Sequence, residues 1–342
     1  MQINPQKVTI HDVAAKAGVS IKTVSRVVNK EGSIRPETRD RVTAAIHALN
    51  YIPNLSARGL AGSHSFLIGL LYDNPSANYI IDVQGGALAA CRQEGFDLLI
   101  HPCTMASPRL CEEILRLVRL NRLGGLILTP PLSDWPPLLA ALTQQGVPFA
   151  RIAPSAHDQS SPCVFCNDQQ AACELTRHLL SLGHRRIAFI KGHPDHSASE
   201  QRLLGYRKAL AEVGLMADAS LEVQGYFDFD SGRLAAQQLL AMPLPPTAIF
   251  ASNDDMATGV IFAAHEQGLD IPAKLSVAGF DDTPLARQIW PTLTTVRQPI
   301  HDMAERAALL LIEQLRSSRQ PWQQHPLQCL VQIRKSTGPV PR

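Results

Sequence analysis

What the chain lacks narrows it first. Its 342 residues contain no run of eighteen or more apolar positions, which excludes an ordinary membrane-spanning helix. The opening MQINPQKVTIHD has no apolar stretch of the kind a secretion signal needs, so the cytoplasm is the expected compartment. Seven cysteines, an odd number, suit free thiols in a reducing environment better than a disulfide framework. Cys163 and Cys166 form a C-x-x-C with Cys173 nearby, yet PCVFCNDQQAA offers no second pair and no paired histidines, so no zinc site is expected. His193 and His196 likewise lack further clustered ligands and read as part of a polar pocket or loop. The signatures G-x-S-x-G, H-E-x-x-H and G-x-x-x-x-G-K-[ST] are all missing. Binding without chemistry is therefore the simpler account, with no cofactor.

What is present is ordinary globular material, 45% hydrophobic and 18% charged, long enough for two to three domains. The charge is uneven. Residues 1–63 carry nine Lys/Arg against four Asp/Glu, net +5, within a chain whose total is +2. That excess surrounds TIHDVAAKAGVSIKTVSRVVN (9–29), which holds two short helical patterns parted by Gly18. Thr9 and Asp12 have capping-box spacing, and Val13, Ala14 and Ala17 share one face. Ser20 can cap the second pattern, whose Val24, Val27 and Val28 repeat at helical spacing. Its other face carries Ile21, Lys22, Ser25 and Arg26. A third helix is expected from Pro36 through Val42, Ala45, Ile46 and Leu49. A glycine-turned hairpin with one basic face can be merely solvated, but the third helix and the local positive charge favour a helix-turn-helix that binds DNA.

Residues 50–65 are polar and small, a linker in which Leu55–Ala61 can form a short helix; Gly59 costs that helix about 1 kcal/mol relative to alanine. From Phe66 onward, short apolar runs alternate with helical patterns. Strands are expected at 66–72, 96–100, 124–129, 148–152, 186–191, 221–225, 247–251 and 275–279. Helices are expected near 79–94, 108–122, 134–145, 167–182, 200–213, 230–241, 254–267 and 301–316. Repeated βαβ units predict doubly wound parallel sheets, and the run is long enough for two α/β lobes. Ligands of such folds bind at the carboxyl ends of strands, which marks Asp73, Thr129, Asn253 and Asp281.

VTIHDVAAKAGVSIKTVSRVVN, ALNYIPNLSARGLAG, SLGHRRIAFIKG, RLLGYRKAL, SNDDMATG and LSVAGFDDTPLARQIWPTLTTVRQP occur in that order. Together they resemble the lactose-repressor/galactose-repressor family of bacterial transcription regulators, from about Val8 to Lys335. The resemblance implies an all-α helix-turn-helix headpiece (1–50), a hinge (51–64) and a core (65–338) folded like the periplasmic sugar-binding proteins. Lobe 1 would be about 65–165 and 297–324, lobe 2 about 166–294 and 325–338. It implies a homodimer on near-palindromic operator DNA, not an enzyme and not a membrane protein. The function it implies is a transcription regulator, a repressor, controlled by a small effector between the lobes. A sugar leads; a nucleoside or other metabolite, or a non-regulatory sugar-binding protein, are the alternatives.

Carried over by position, Ile21, Lys22, Thr23, Ser25, Arg26 and Asn29 would read or position bases, and Ser33, Arg35 and Thr38 would touch phosphates. Ala57 and Leu60 would enter the minor groove, Leu60 as a wedge at the central step. Asp73, Tyr79, Ile80, Thr129, His196, Arg202, Phe227, Asn253 and Asp281 would line the effector pocket. Among these, Asp, Asn and Arg suit hydroxyls and Phe227 suits a sugar's apolar face. KSTGPVPR after Arg334 contains no leucine heptad for a tetramer-forming bundle.

Overall fold

The structure, a computed structural model, describes residues 8–28, 34–51, 65–156, 160–317, 322 and 324–341. The chain forms two compact units, Met1–Phe66 and Leu67–Arg342.

The first unit contains α1 (Ile10–Ala17), α2 (Ile21–Val28) and α3 (Pro36–Leu49). The Asp12 carboxylate accepts from the backbone N–H and the hydroxyl of Thr9, both at 2.8 Å, and these bonds hold its pKa below the ordinary range. Gly18 ends α1 at φ 62, a left-handed conformation that costs glycine no side-chain clash. Two residues on, the Ser20 hydroxyl accepts from the Thr23 amide at 3.2 Å and opens α2. Val13, Ala14, Ala17, Val24, Val42 and Ala45 make the buried core, with Val27, Val28, Ile46 and Leu49 packed half-buried around it. This is the set that helical spacing predicts. The short hinge helix expected near 55–61 lies outside the described residues.

The second unit builds two parallel sheets. The chain runs β1 (Leu67–Tyr72), α4 (Ala77–Glu94), β2 (Asp97–Pro102), α5 (Leu110–Asn121), β3 (Gly125–Leu128), α6 (Pro136–Gln144), β4 (Phe149–Ile152) and β5 (Cys163–Cys166). It continues with α7 (Asp168–Ser181), β6 (Ile187–Lys191), α8 (Ser197–Glu212), β7 (Glu222–Gln224), α9 (Phe229–Leu240), β8 (Ala248–Ala251), α10 (Asp254–Glu266) and β9 (Ser276–Ala278). Last come α11 (Leu285–Gln288), β10 (Thr295–Arg297), α12 (Ile300–Arg316), β11 (Gln324–Leu327) and β12 (Leu330–Gln332). The first lobe's sheet has the order β11-β5-β4-β3-β1-β2 and the second lobe's β7-β6-β8-β9. In each sheet the order reverses beside its first strand in the chain, β1 or β6, and a crevice opens at such switch points.

The lobes exchange chain three times, at 166–168, 297–300 and 327–330, and side chains tie these crossings together. Asn167 Oδ1 accepts from the Cys329 amide at 2.8 Å, and Gln298 Nε2 donates to Cys166 Sγ at 3.3 Å. Because β11 pairs with β5 in register Leu327↔Cys166, the first lobe's sheet extends three residues beyond the expected boundary at 324. All seven cysteines are free thiols. Among the described residues, no helix is long and apolar enough to cross a membrane.

Candidate functional site

Two surfaces gather the residues singled out by sequence. On the first unit, Ile21, Lys22 and Arg26 are exposed along α2, while Thr23 and Ser25 are half-buried. The Thr23 hydroxyl lies 2.9 Å from that of Ser20, so it belongs partly to the cap. Arg35 is exposed just before α3, and its carbonyl accepts from the Thr38 amide at 3.0 Å. Asn29, Ser33, Ala57, Gly59 and Leu60 lie outside the described residues. Lys22, Arg26 and Arg35 take part in no ion pair among the described residues, so their charges face solvent. A short helix with a convex basic face is the shape and charge that a major groove accepts.

The second surface is a cleft between the lobes, with about 400 Å³ of empty space that is partly open to solvent. Strand-end loops of both sheets line it: Asn74, Ser76 and Tyr79 after β1, His196 and Arg202 after β6, Phe227 after β7, Asn253 after β8 and Asp281 after β9. Six of the nine expected pocket residues therefore meet here. Asp73, Ile80 and Thr129 do not line it. Asp73 Oδ2 accepts from the Met105 amide at 2.7 Å, Ile80 is buried in α4, and the Thr129 hydroxyl donates to the Leu71 carbonyl at 3.3 Å. Each lies at or near a strand end, but the Asp73 carboxylate and the Thr129 hydroxyl bond within their own lobe and Ile80 packs there, while the Asp73 backbone carbonyl meets His196 of the other lobe. Asn74, Ser76 and Gln298, unmarked in the sequence, line the cleft instead. A Ser three residues ahead of Tyr79 was the available signal for Ser76, as a helix cap.

Arg202, 4% exposed, is the cleft's fixed cation. Its Nε donates to Asp168 Oδ1 at 2.9 Å, one Nη to the Ser252 carbonyl at 2.5 Å and the other to Gln298 Oε1 at 3.3 Å; the Phe280 ring lies 3.6 Å from its guanidinium carbon. Asp281 Oδ1 approaches it only to 3.5 Å and finds no hydrogen-bond partner among the described residues. Burial therefore outweighs Arg202 and holds the Asp281 carboxyl well above the usual range. Asp281 adopts φ 111 and Phe227 φ 67, conformations rare for side-chain-bearing residues and typical of sites where function holds the backbone. Gly192 makes room for Phe227: a Cβ there would lie 2.1 Å from its ring. His196 stands 5.3 Å from the Phe227 ring, and burial followed by the His193 and Arg202 charges pushes its pKa down to about 3, so it is neutral and can both donate and accept.

Beside the cleft, Asp254 is fully buried. It accepts from the Thr283 amide at 2.8 Å and the Thr295 hydroxyl at 2.6 Å, and burial still pushes its pKa up to about 7. A folded-state value above the unfolded one means that the native state holds the extra proton. Its stabilising effect is complete below pH 3.8 and is lost as pH rises towards 7. Asp254→Asn mimics the protonated acid. Its melting temperature should gain on wild type by roughly 3 °C per pH unit between pH 5 and 7, then level off. A constant gap across that window would contradict the assignment.

Known proteins resemble both units of the chain. Residues 9–54 match the family described as bacterial regulatory proteins, lacI family, and residues 176–337 match a periplasmic binding protein-like domain. The HTH-type transcriptional regulator DegA of Bacillus subtilis (strain 168) is 34% identical over 98% of this chain and 99% of its own. Among solved structures, the lac repressor dimer bound to operator and the anti-inducer ONPF superposes with a TM-score of 0.78 at 29% identity, covering 97% of this chain and 100% of that one. The transcriptional regulator CelR–cellobiose complex gives 0.74 at 28%, covering 96% and 99%.

Proposed function

Since the chain belongs to the lacI family of bacterial regulatory proteins, as a DNA-binding transcription regulator under the control of a small effector and not an enzyme, we propose that its effector is a sugar bound in the inter-lobe cleft. Asp281 carries this reading. Its Oδ1 is buried, has no hydrogen bond among the described residues and meets Arg202 only at 3.5 Å, and the residue lines the cleft, so a ligand that donates hydroxyl hydrogens supplies what the protein leaves out. Phe227 offers a ring for the apolar face of a pyranose, and Asn74, Ser76 and neutral His196 offer donors and acceptors around it. The structurally similar CelR, solved as a complex with cellobiose, supports the same class. Arg202 is a positioning residue here, because most of its donors are already taken by the protein.

Thermal-shift titration against monosaccharides, oligosaccharides and nucleosides tests the proposal. A sugar should raise the melting temperature of wild type and leave Asp281→Asn unmoved. A nucleoside acting in its place would replace the sugar reading.

The headpiece reads operator DNA through α2, as a repressor and as one half of a homodimer on a near-palindromic site, in the cytoplasm. Ile21 and Lys22, with Arg26, face base edges, and Arg35 faces phosphate; Ala57 and Leu60 enter the minor groove in this reading. Arg26→Ala should relax preference at one base pair per half-site, by roughly 1–3 kcal/mol. Arg35→Ala should weaken all sequences alike and shallow the salt dependence by about one unit. Binding-site selection combined with salt titration separates the two; unchanged base preference in Arg26→Ala would remove it from the reading face.

A further inference from the structure

One carboxylate joins the two walls of the cleft. Asp255, in the first turn of α10, accepts from the Ser76 hydroxyl at 2.5 Å and from Asn78 Nδ2 at 3.4 Å. Ser76 and Asn78 belong to the first lobe and Asp255 to the second, so both bonds cross the cleft. The third donor comes from Asp255's own wall, Asn253 Nδ2 at 3.4 Å. Two helix starts meet at this point. Ser76 is the cap of α4, its hydroxyl accepting from the Tyr79 amide at 3.3 Å, and Asn253 is the cap of α10, accepting from Met256 at 2.9 Å. The positive end of each helix thus faces the same carboxylate. Ser76 is 3% exposed, so its bond is sheltered from competing water.

We infer that Asp255 is a positioning residue that latches the first lobe's cleft wall to the second's. Tyr79 and Asn74 reach the cleft from the segment that Ser76 anchors, whereas Asn253 and Phe227 reach it from the segment that Asp255 anchors; Asn253 Nδ2 also donates to the Phe227 carbonyl at 2.9 Å. The latch therefore sets the spacing across which any ligand is held. Its bearing on effector affinity rests on the cleft being the effector site; its bearing on closure does not.

Amide hydrogen exchange on the full-length protein reads closure directly, with no ligand added. Asp255→Ala should speed exchange about tenfold in the segment Ser76–Ile80, on the opposite lobe, while peptides of α7 and α8 keep their protection. Ser76→Ala would also lose the α4 cap, so Ser76→Asp is the informative change. Aspartate caps well, but it sets two carboxylates against each other, and the Asn253–Ala257 segment should lose protection. Adding Asp255→Asn to Ser76→Asp returns a donor to the pair and should restore protection on both sides. Unchanged exchange in both single variants, or failure of the double variant to recover, overturns the latch. A latch that fails while a sugar still binds would leave the effector reading standing.

Discussion

Asp281→Asn is expected to weaken effector binding about a hundredfold without weakening the fold. A ligand whose hydroxyls donate to the Asp281 carboxyl favours its ionised form, each such bond is then worth roughly 1.5–3 kcal/mol, and an amide replaces one acceptor oxygen with a donor. The unliganded protein should lose little. Asp281 Oδ1 is buried without a hydrogen bond among the described residues, and burial already disfavours its charged form, so a neutral asparagine costs the fold little. The φ of 111 suits asparagine at least as well as aspartate. Calorimetric titration with the sugar found by thermal shift, alongside melting of the free protein, checks both halves. Wild-type affinity in the variant would take Asp281 out of the site.

Arg202→Ala should do the reverse: destabilise first and abolish the effector response as a consequence. Its removal orphans the Asp168 carboxylate, the Ser252 carbonyl and Gln298 together, and strips the face of Phe280. Breaking a buried ion pair by deleting one partner costs about 3–5 kcal/mol. For a unit of this size the melting temperature should fall by roughly 10 °C. Arg202→Lys keeps the charge but not the planar fork and should fall between. A melting temperature within about 2 °C of wild type in Arg202→Ala would show the network to be dispensable. Family resemblance alone assigns Arg202 and Asp281 the same part; the geometry separates them, because most of Arg202's donors are bonded within the protein and Asp281 Oδ1 has no hydrogen bond among the described residues.

The βα rhythm was legible because each element carries its own period, and the eight expected strands and eight helices differ from the observed ones only at their ends. Four strands were not legible. β5 is four residues, CVFC, and β11 is QHPL, with Pro326 on an edge that tolerates it. β10 and β12, three residues each, pair antiparallel between distant parts of the chain, from Thr295↔Gln332 to Arg297↔Leu330. Their existence is decided by partners far along the chain, which no local pattern encodes. The same division runs through the cleft. The strand-end rule brings Asn253 and Asp281 to the cleft and Asp73 and Thr129 near it, but it does not say which side chains still lack partners once the loops close. Ser76, Asp255 and Gln298 acquire their roles only when the lobes meet. Helix α2 was readable throughout its described part, because its cap, its inward-facing valines and its basic face all lie within one turn or two of each other.

The triple exchange of chain between the lobes also orders how the molecule can be made. A ribosome that has completed residue 278 has delivered every strand of the second sheet, β6 to β9, yet the first sheet still lacks its edge strand β11. The helix that covers α4 and the β3–β5 strands is also still to come: α12, whose Ile300, Met303, Ala304, Ala307, Ala308 and Leu311 are all buried. Neither lobe is therefore complete until the end of the chain: the first waits for α12, which packs against α4 at Gly86, and for β11, and the second waits for residues 329–340, where the Ser336 carbonyl accepts from the Val277 amide at 2.9 Å. Chains that stop short of residue 300 leave both lobes without strands or segments that cover their cores, which makes them substrates for chaperones and proteases.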